Sequence, residues 1–246
     1  MQDNPSAPAI FTGGIVHAAS YAKDSPLAPG GIISLFGRNL AASEGGSTSL
    51  PLPTTLAGAT VNIGGKDVPL FYTNSGQLNV QIPSDLAPNT RVQALVKVRP
   101  AGGSSELLTV PESITLAAAS PGIFTASSDG KGQGIVFLGD RLADQTAPAR
   151  AGDVVVVYCT GLGATQPPVT SGQAAPANPP ATVTATVTAT IGGRPAQVQF
   201  AGLTPGFAGL YQVNIQVPTG VSAGSAVELV LSQNGIESNK VTLAIQ

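Results

Sequence analysis

Seven residues in the first half of the chain, Gln77-Leu78-Asn79-Val80-Gln81-Ile82-Pro83, recur in the second half as Gln212-Val213-Asn214-Ile215-Gln216-Val217-Pro218. Matched blocks accompany this pair in the same order through both halves. Ile10-Phe11-Thr12 recurs as Ile123-Phe124-Thr125, and Gly14-Ile15-Val16-His17 as Gly134-Ile135-Val136-Phe137. Pro29 to Leu40 parallels Ala151 to Leu162, and Val61-Asn62-Ile63-Gly64-Gly65-Lys66 parallels Ala189-Thr190-Ile191-Gly192-Gly193-Arg194. Thr90 to Val98 answers Ser225 to Leu231. The chain is therefore read as two copies of one unit, residues 1–119 and 120–246, with 1–7 a flexible N-terminus and 120–147 a junction and hairpin segment. The offset grows from 113 between Ile10 and Ile123 to 135 between Gln77 and Gln212, so the second copy carries insertions. One surrounds Asp129, and a Pro/Ala-rich one runs from Gln166 to Pro180.

Each block reads as a strand. In Gln77 to Ile82 the amides alternate with Leu78, Val80 and Ile82, the period of a half-buried strand, and the second copy repeats it with Val213, Ile215 and Val217. Val154 to Cys159 is a continuous apolar run too short for a helix, which suits a strand buried on both sides. Gly64-Gly65, Gly192-Gly193 and Asn234-Gly235 supply the positive φ angles of tight hairpins. With 30 Gly and 21 Pro among 246 residues, long helices are not expected. Short strands at roughly ten-residue spacing predict an all-β chain of two antiparallel β-sandwiches.

Composition narrows function. A formal net charge of -2 with 11 Lys+Arg leaves no basic stripe for phosphates, so nucleic acid is not an expected partner, and no apolar run is long enough for membrane insertion. Met1 is followed by Gln2-Asp3-Asn4-Pro5, with no basic or apolar leader; such a start suits the mature end of a processed secreted protein with an added Met. Cys159 is the only cysteine, so no intramolecular disulfide is expected.

His17 is the only imidazole, and any Ser-His-Asp or Cys-His hydrolase would have to use it. Its match to Phe137 in the repeat reads instead as a packing position. Gly139-Asp140-Arg141-Leu142 superficially resembles an esterase block, but Arg141 stands where the nucleophilic serine is needed, and no Gly-x-Ser-x-Gly elbow exists. Cys159, matched by Gly37 and set among valines, reads as an inert buried thiol. One His and one Cys cannot make a zinc tetrad, and no catalytic residue, resident metal or cofactor is assigned. A calcium ion at the junction would draw on Asp129, Asp140, Asp144 or Asp153. Gly161-Leu162-Gly163 and Gly64-Gly65 read as turns, since no helix follows to make a phosphate loop.

The amide stripe is the best polar constellation. Gln77, Asn79 and Gln81 with neighbouring Tyr72, and Gln212, Asn214 and Gln216 with neighbouring Tyr211, form a candidate site for an extracellular polysaccharide. The competing reading is that the amides specify the fold by satisfying loop backbone groups. Thr182 to Thr190 alternates Thr with Val183, Ala185, Val187 and Ala189; as an edge strand it would offer self-association, as would the segment before Pro8 donated to a neighbour.

Several of these blocks carry a resemblance. Gly13-Gly14-Ile15-Val16-His17-Ala18-Ala19-Ser20-Tyr21, Ala28-Pro29-Gly30 to Leu40 and Gly76 to Pro83 are similar to motifs of the tandem Solibacter C-terminal domain of secreted acidobacterial proteins. In the second half the motifs are Ala149 to Gly163, Phe200-Ala201-Gly202-Leu203-Thr204-Pro205-Gly206 and Tyr211 to Pro218. The similarity covers the chain from about residue 8 onward. That family usually has Asn where this chain has His17. More loosely, each copy resembles immunoglobulin-like and IPT/TIG domains. The resemblance implies two tandem immunoglobulin-like sandwiches, secreted or at the cell surface, acting as a non-catalytic structural, adhesive or spacer module with another protein or a polysaccharide as partner.

Overall fold

Alternating Val, Ile and Leu between Gly- and Pro-rich turns leaves this chain one way to bury its apolar surface, by stacking sheets. The computed structural model describes residues 7–103 and 105–246. The principal strands of the first copy are β1 (Ala9–His17), β2 (Ile32–Arg38), β3 (Ala59–Ile63), β4 (Lys66–Asp67), β5 (Leu70–Thr73), β6 (Gln77–Gln81), β7 (Thr90–Val98) and β8 (Glu112–Leu116). Those of the second are β9 (Val136–Leu138), β10 (Val154–Thr160), β11 (Val187–Ile191), β12 (Arg194–Leu203), β13 (Tyr211–Gln216), β14 (Gly224–Gln233) and β15 (Val241–Ile245).

In the first copy β1-β2-β6-β5 form one sheet and β8-β7-β3-β4 the other, every pair antiparallel. With the two-residue β4 left unlettered and the other seven strands lettered A to G in chain order, these are A-B-E-D and G-F-C, the strand order of the immunoglobulin fold. The second copy repeats it with β9-β10-β13-β12 and β15-β14-β11. The two copies differ where the chain changes sheet. In the first copy Val68-Pro69 separates β4 from β5, as expected of a proline that cannot donate to a ladder. In the second, β12 runs unbroken from pairing with β11 to pairing with β13, bent by a bulge between Val198 and Phe200. The chain is thus two tandem immunoglobulin-like antiparallel β-sandwiches formed by an internal repeat.

The register repeats residue for residue. Ser34 faces Asn79 and Ile32 faces Gln81, as Val156 faces Asn214 and Val154 faces Gln216. Gly37 and Cys159 face Ile10 and Ile123. Gly64-Gly65 and Gly192-Gly193 turn their hairpins at φ 60°, 84° and 57°, 73°, and Asn234-Gly235 does the same at 52°, 77°. One core gathers Ile33, Leu35, Leu78 and Val80 among residues 10–116, the other Val155, Val157, Val213 and Ile215 among 123–245. Each such side chain contributes roughly 1.5–3 kcal/mol on burial.

Three expectations are corrected. His17 is not the counterpart of Phe137: Val16 faces Ser34 and Phe137 faces Val156, so Val16 matches Phe137 and His17 matches Leu138. The insertion before β9 hides this one-residue slip, and in a strand one residue reverses the face. Val154 to Cys159 is not buried on both sides; Val155, Val157 and Cys159 point inward, while Val154, Val156 and Tyr158 face outward, Val154 at 36% exposure. Thr182 to Thr190 is not one edge strand. Thr182–Val183 pairs with Thr165–Gln166 and Gly202, and β11 lies between β12 and β14, although the exposed threonines do alternate with more buried residues. The segment before Pro8, proposed as a donor strand, falls largely outside the described residues.

Candidate functional site

Directly opposed residues in an antiparallel sheet share a face, so the registers define two outer surfaces. On the first, a row crosses the sheet as Val16, Ser34, Asn79 and Tyr72, of which Val16 and Ser34 are buried. On the second, the equivalent row is Phe137, Val156, Asn214 and Phe200. The amides bond along their strands: Gln77 Nε2 donates to Asn79 Oδ1 at 2.9 Å, and Gln212 Nε2 to Asn214 Oδ1 at 3.2 Å. Ser34 Oγ also donates to Asn79 Oδ1 at 3.0 Å. Tyr72 donates its hydroxyl to Glu44 Oε1 at 2.9 Å and accepts from Asn74 Nδ2 at 3.0 Å.

The third amide of each stripe holds a turn. Gln81 Nε2 donates to the Gly30 carbonyl at 3.0 Å, and Gln216 Nε2 to the Gly152 carbonyl at 3.2 Å, at equivalent positions of the repeat. Here the amides satisfy loop backbone groups. Tyr211 leaves the stripe altogether: it faces Cys159 on the core side, is buried, and donates its hydroxyl to the Gly163 carbonyl at 2.6 Å. Burial pushes its hydroxyl pKa up. The tyrosine on the second outer face is Tyr158, opposite Gln212.

None of the seven phenylalanines is buried in either core. Instead Phe124, Ile135, Phe137, Tyr158, Phe207 and Leu210 line an open cleft of about 520 Å³ on the second copy. Phe137 and Tyr158 meet edge to face with centroids 5.8 Å apart. Phe207 and Leu210 also border a cleft of about 570 Å³ that reaches Ile32, Leu52 and Phe71 of the first copy. Sequence reasoning missed these aromatics. The usable signal was Val154 to Cys159, which as a one-sided strand puts Tyr158 outward.

The two copies meet at a hydrogen-bonded junction. Ile32 N–H donates to Thr160 Oγ1 at 3.0 Å, and that hydroxyl donates on to the Gly209 carbonyl at 2.9 Å. Gly172 N–H donates to Gln81 Oε1 at 2.7 Å, Leu52 N–H to the Gly172 carbonyl at 2.8 Å, and Ser84 Oγ to the Val169 carbonyl at 3.0 Å. The Pro/Ala-rich insertion is therefore a strap laid back on the first copy. Glycines permit the close approach: a Cβ on Gly31 would lie 3.3 Å from Gly161 Cα, and one on Gly209 3.0 Å from Gln81 Nε2.

His17 is buried in this junction. Nδ1 accepts from the N–H groups of Ala19 and Ser20, each at 3.2 Å, which leaves the proton on Nε2 to donate to the Ser120 carbonyl at 3.0 Å. Desolvation lowers its pKa to about 4 against the raising effect of the Ser120 and Thr160 backbone. With both nitrogens committed to backbone, the ring has none to offer a substrate as base. Cys159 is fully buried and burial pushes its thiol pKa up, the opposite of an activated nucleophile.

The four aspartates do not meet at the junction. Asp129 accepts from Ser127 and Lys131, Asp144 from Thr146, and Asp153 from Arg150 N–H at 2.8 Å, each within its own turn, and Asp140 is exposed in the turn that follows β9. Asp153 precedes β10 at the end opposite Thr160, about 20 Å along the strand. Among the described residues no three His, Cys, Asp or Glu side chains gather as metal ligands.

No protein-family model matches the chain, and no curated protein sequence matches it. Among solved structures it is similar to the I9–I11 tandem of titin, at 10% identity and TM-score 0.23, over 90% of this chain and 62% of that one. It is similar to the BSP domain of a biofilm-associated protein at 16% identity and TM-score 0.25, over 88% of this chain and 27% of that one. The tandem Ig repeats of Dlar give 12% identity and TM-score 0.20, over 98% of both chains. The chain thus spans under two thirds of the titin and biofilm chains, and its assignment as tandem immunoglobulin-like sandwiches stands on its own strand order.

Proposed function

We propose that the chain is a non-catalytic structural, adhesive or spacer module, secreted or at a cell surface, in which the two sandwiches act as one rigid unit. The junction is the observation that carries this reading. Domains in one chain move relative to each other unless their interface holds them. Here Thr160, Gln81 and His17 bond across or into the seam, and the strap adds bonds from the Gly172 backbone to the Leu52 N–H and the Gln81 side chain. The resemblance to Solibacter C-terminal domains supports the extracellular setting. Rotational diffusion by nitrogen-15 relaxation tests the rigidity: a single correlation time for both copies is expected, and two independent times would overturn the proposal.

A second reading has a specific observation behind it. The outer face of the second copy combines Phe137, Tyr158 and Phe200 with Gln212 and Asn214, an aromatic and amide combination suited to the apolar faces and hydroxyls of a polysaccharide. On this reading Phe137, Tyr158, Gln212 and Asn214 make the contacts. A glycan array with no hit would remove it.

A further inference from the structure

Copies built in one register differ at one exposed sheet edge. In the second copy the chain detours before β9 and pairs with β15: Thr242 N–H donates to the Gly132 carbonyl at 2.7 Å, and Gly134 N–H donates to the Thr242 carbonyl at 2.9 Å. Gln133 lies opposite Thr242 in parallel orientation. Farther along, Ala149 N–H donates to the Ala244 carbonyl and its own carbonyl accepts from Gln246 N–H, both at 2.9 Å. In the first copy Leu27 makes the matching pair, donating to the Thr115 carbonyl at 2.9 Å and accepting from Ala117 N–H at 2.7 Å. Leu27 lies opposite Leu116 as Ala149 lies opposite Ile245, so Ser113 stands where Thr242 stands.

What fills that edge in the second copy is missing from the first. Between the paired residues Ile10 and Ile15 the first copy has only residues 11–14, where the second has 124–135 between Ile123 and Val136. Alternate residues of a strand turn their backbone groups to the same edge, so Ser113 shares the outward edge with Thr115. Its N–H and carbonyl have no hydrogen-bond partner among the described residues. Beside them lies a cleft of about 300 Å³ lined by Phe11, Gly13, Gly14, Ser25 and Ser113. An unpaired edge next to a cleft is a template for a further strand.

We propose that this slot receives an extended segment of a partner protein, added beside β8 with a glycine on each side of the residue opposite Ser113. The second copy specifies the occupant's chemistry. Gly132 and Gly134 flank Gln133: Gly132 holds φ +70°, and a Cβ on Gly134 would lie 2.7 Å from Val241 Cγ2 and 3.0 Å from Val136 Cγ2, whose places in the first copy are taken by Glu112 and Ile15. Ser113 N–H donates to the carbonyl of the first glycine, and the N–H of the second donates to the Ser113 carbonyl. No contact to the outer amide faces is needed.

The probe is a synthetic peptide with the sequence of residues 128–136, titrated into the full chain by calorimetry and amide NMR. Saturable binding is expected, with shifts centred on Ser113 and Thr115. Ser113→Pro, which removes the outward N–H without breaking the ladder to β7, should weaken binding at least tenfold. Grafting residues 126–133 between Thr12 and Gly13 should close the slot in cis and abolish binding. A peptide with both flanking glycines replaced by valine should not bind. Failure to saturate at millimolar peptide, shifts centred elsewhere, equal binding of the valine peptide, or a grafted protein that binds as the parent does would each overturn the proposal. Should Ser113→Pro not fold, the graft decides.

Discussion

His17 Nε2 and the Ser120 carbonyl lie 3.0 Å apart, joining the last residue of β1 to the segment that leads into the second copy. The ring must be neutral to keep the full set of contacts, because Nδ1 accepts from the Ala19 and Ser20 N–H groups. The unfolded chain takes up a proton at the ordinary histidine pKa of 6.5, whereas the folded chain resists down to about 4. Stability is therefore full above about pH 6.5 and falls as pH drops toward 4, by about 3 kcal/mol in total. Denaturant midpoints between pH 7.5 and 4.5 check this. His17→Phe should lower the pH 7 midpoint and flatten the slope across that window; an unchanged slope would remove His17 as its source.

Gly122 lies against the His17 ring, and a Cβ there would overlap Cε1 of the imidazole. At Gly161, with φ +84°, a Cβ would overlap the Ser120 carbonyl and also lie 3.0 Å from His17 Nε2. Crowding at Gly122 is thus against the side chain, and crowding at Gly161 is chiefly against backbone. Gly122→Ala should cost about 1–3 kcal/mol, typical of overpacking. Combined with His17→Ala, its further cost should shrink by more than about 1 kcal/mol, the coupling expected of residues in contact. Gly161→Ala should keep most of its cost in the His17→Ala background, because the Ser120 carbonyl and the positive φ remain. Unfolding free energies of the five variants and the parent check the cycle, and full additivity for Gly122 would contradict the packing.

How much was legible in the sequence follows from what a repeat can encode. Period-2 alternation and paired glycines carry strand identity and hairpin position, so the Gln77 and Gln212 blocks and the Gly64 and Gly192 turns were read directly. Register across an insertion is a different quantity. With no fixed spacing between Ile123 and Val136, matching Gly134 to Gly14 displaced His17 by one residue. A run such as Val154 to Cys159 carries no alternation, so its outward face, with Tyr158, became visible only through its pairing with Gln212 and Asn214. The junction is not legible at all: Thr160 bonds Ile32, and Gly172 of the strap bonds Gln81, over separations no local pattern records.

Cys159 is fully buried, opposite Ile123 and Tyr211 in neighbouring strands. Burial holds the thiol protonated, so the native protein should resist a thiol-reactive disulfide at pH 8. Labelling should proceed only through opening of the second sandwich and accelerate in step with added denaturant. Complete labelling within seconds in buffer would contradict the burial.

Gln81 and Gln216 occupy the same place in the repeat and clamp equivalent turns at Gly30 and Gly152. Their surroundings differ. Gln216 sits at the end of its sheet with an exposed amide, and Gln216→Ala should cost no more than the net value of a solvated hydrogen bond, about 0.5–1 kcal/mol. Gln81 is buried and also accepts from Gly172 of the strap. Truncating it leaves the Gly30 carbonyl and the Gly172 N–H without partners inside the junction, each at a cost of about 1–3 kcal/mol. Gln81→Ala should therefore destabilise the protein more than Gln216→Ala. It should also release residues 166–176, seen as faster amide exchange there, while exchange in β13 stays at the parent rate. Equal effects of the two substitutions would mean that the strap contributes nothing to holding the copies together.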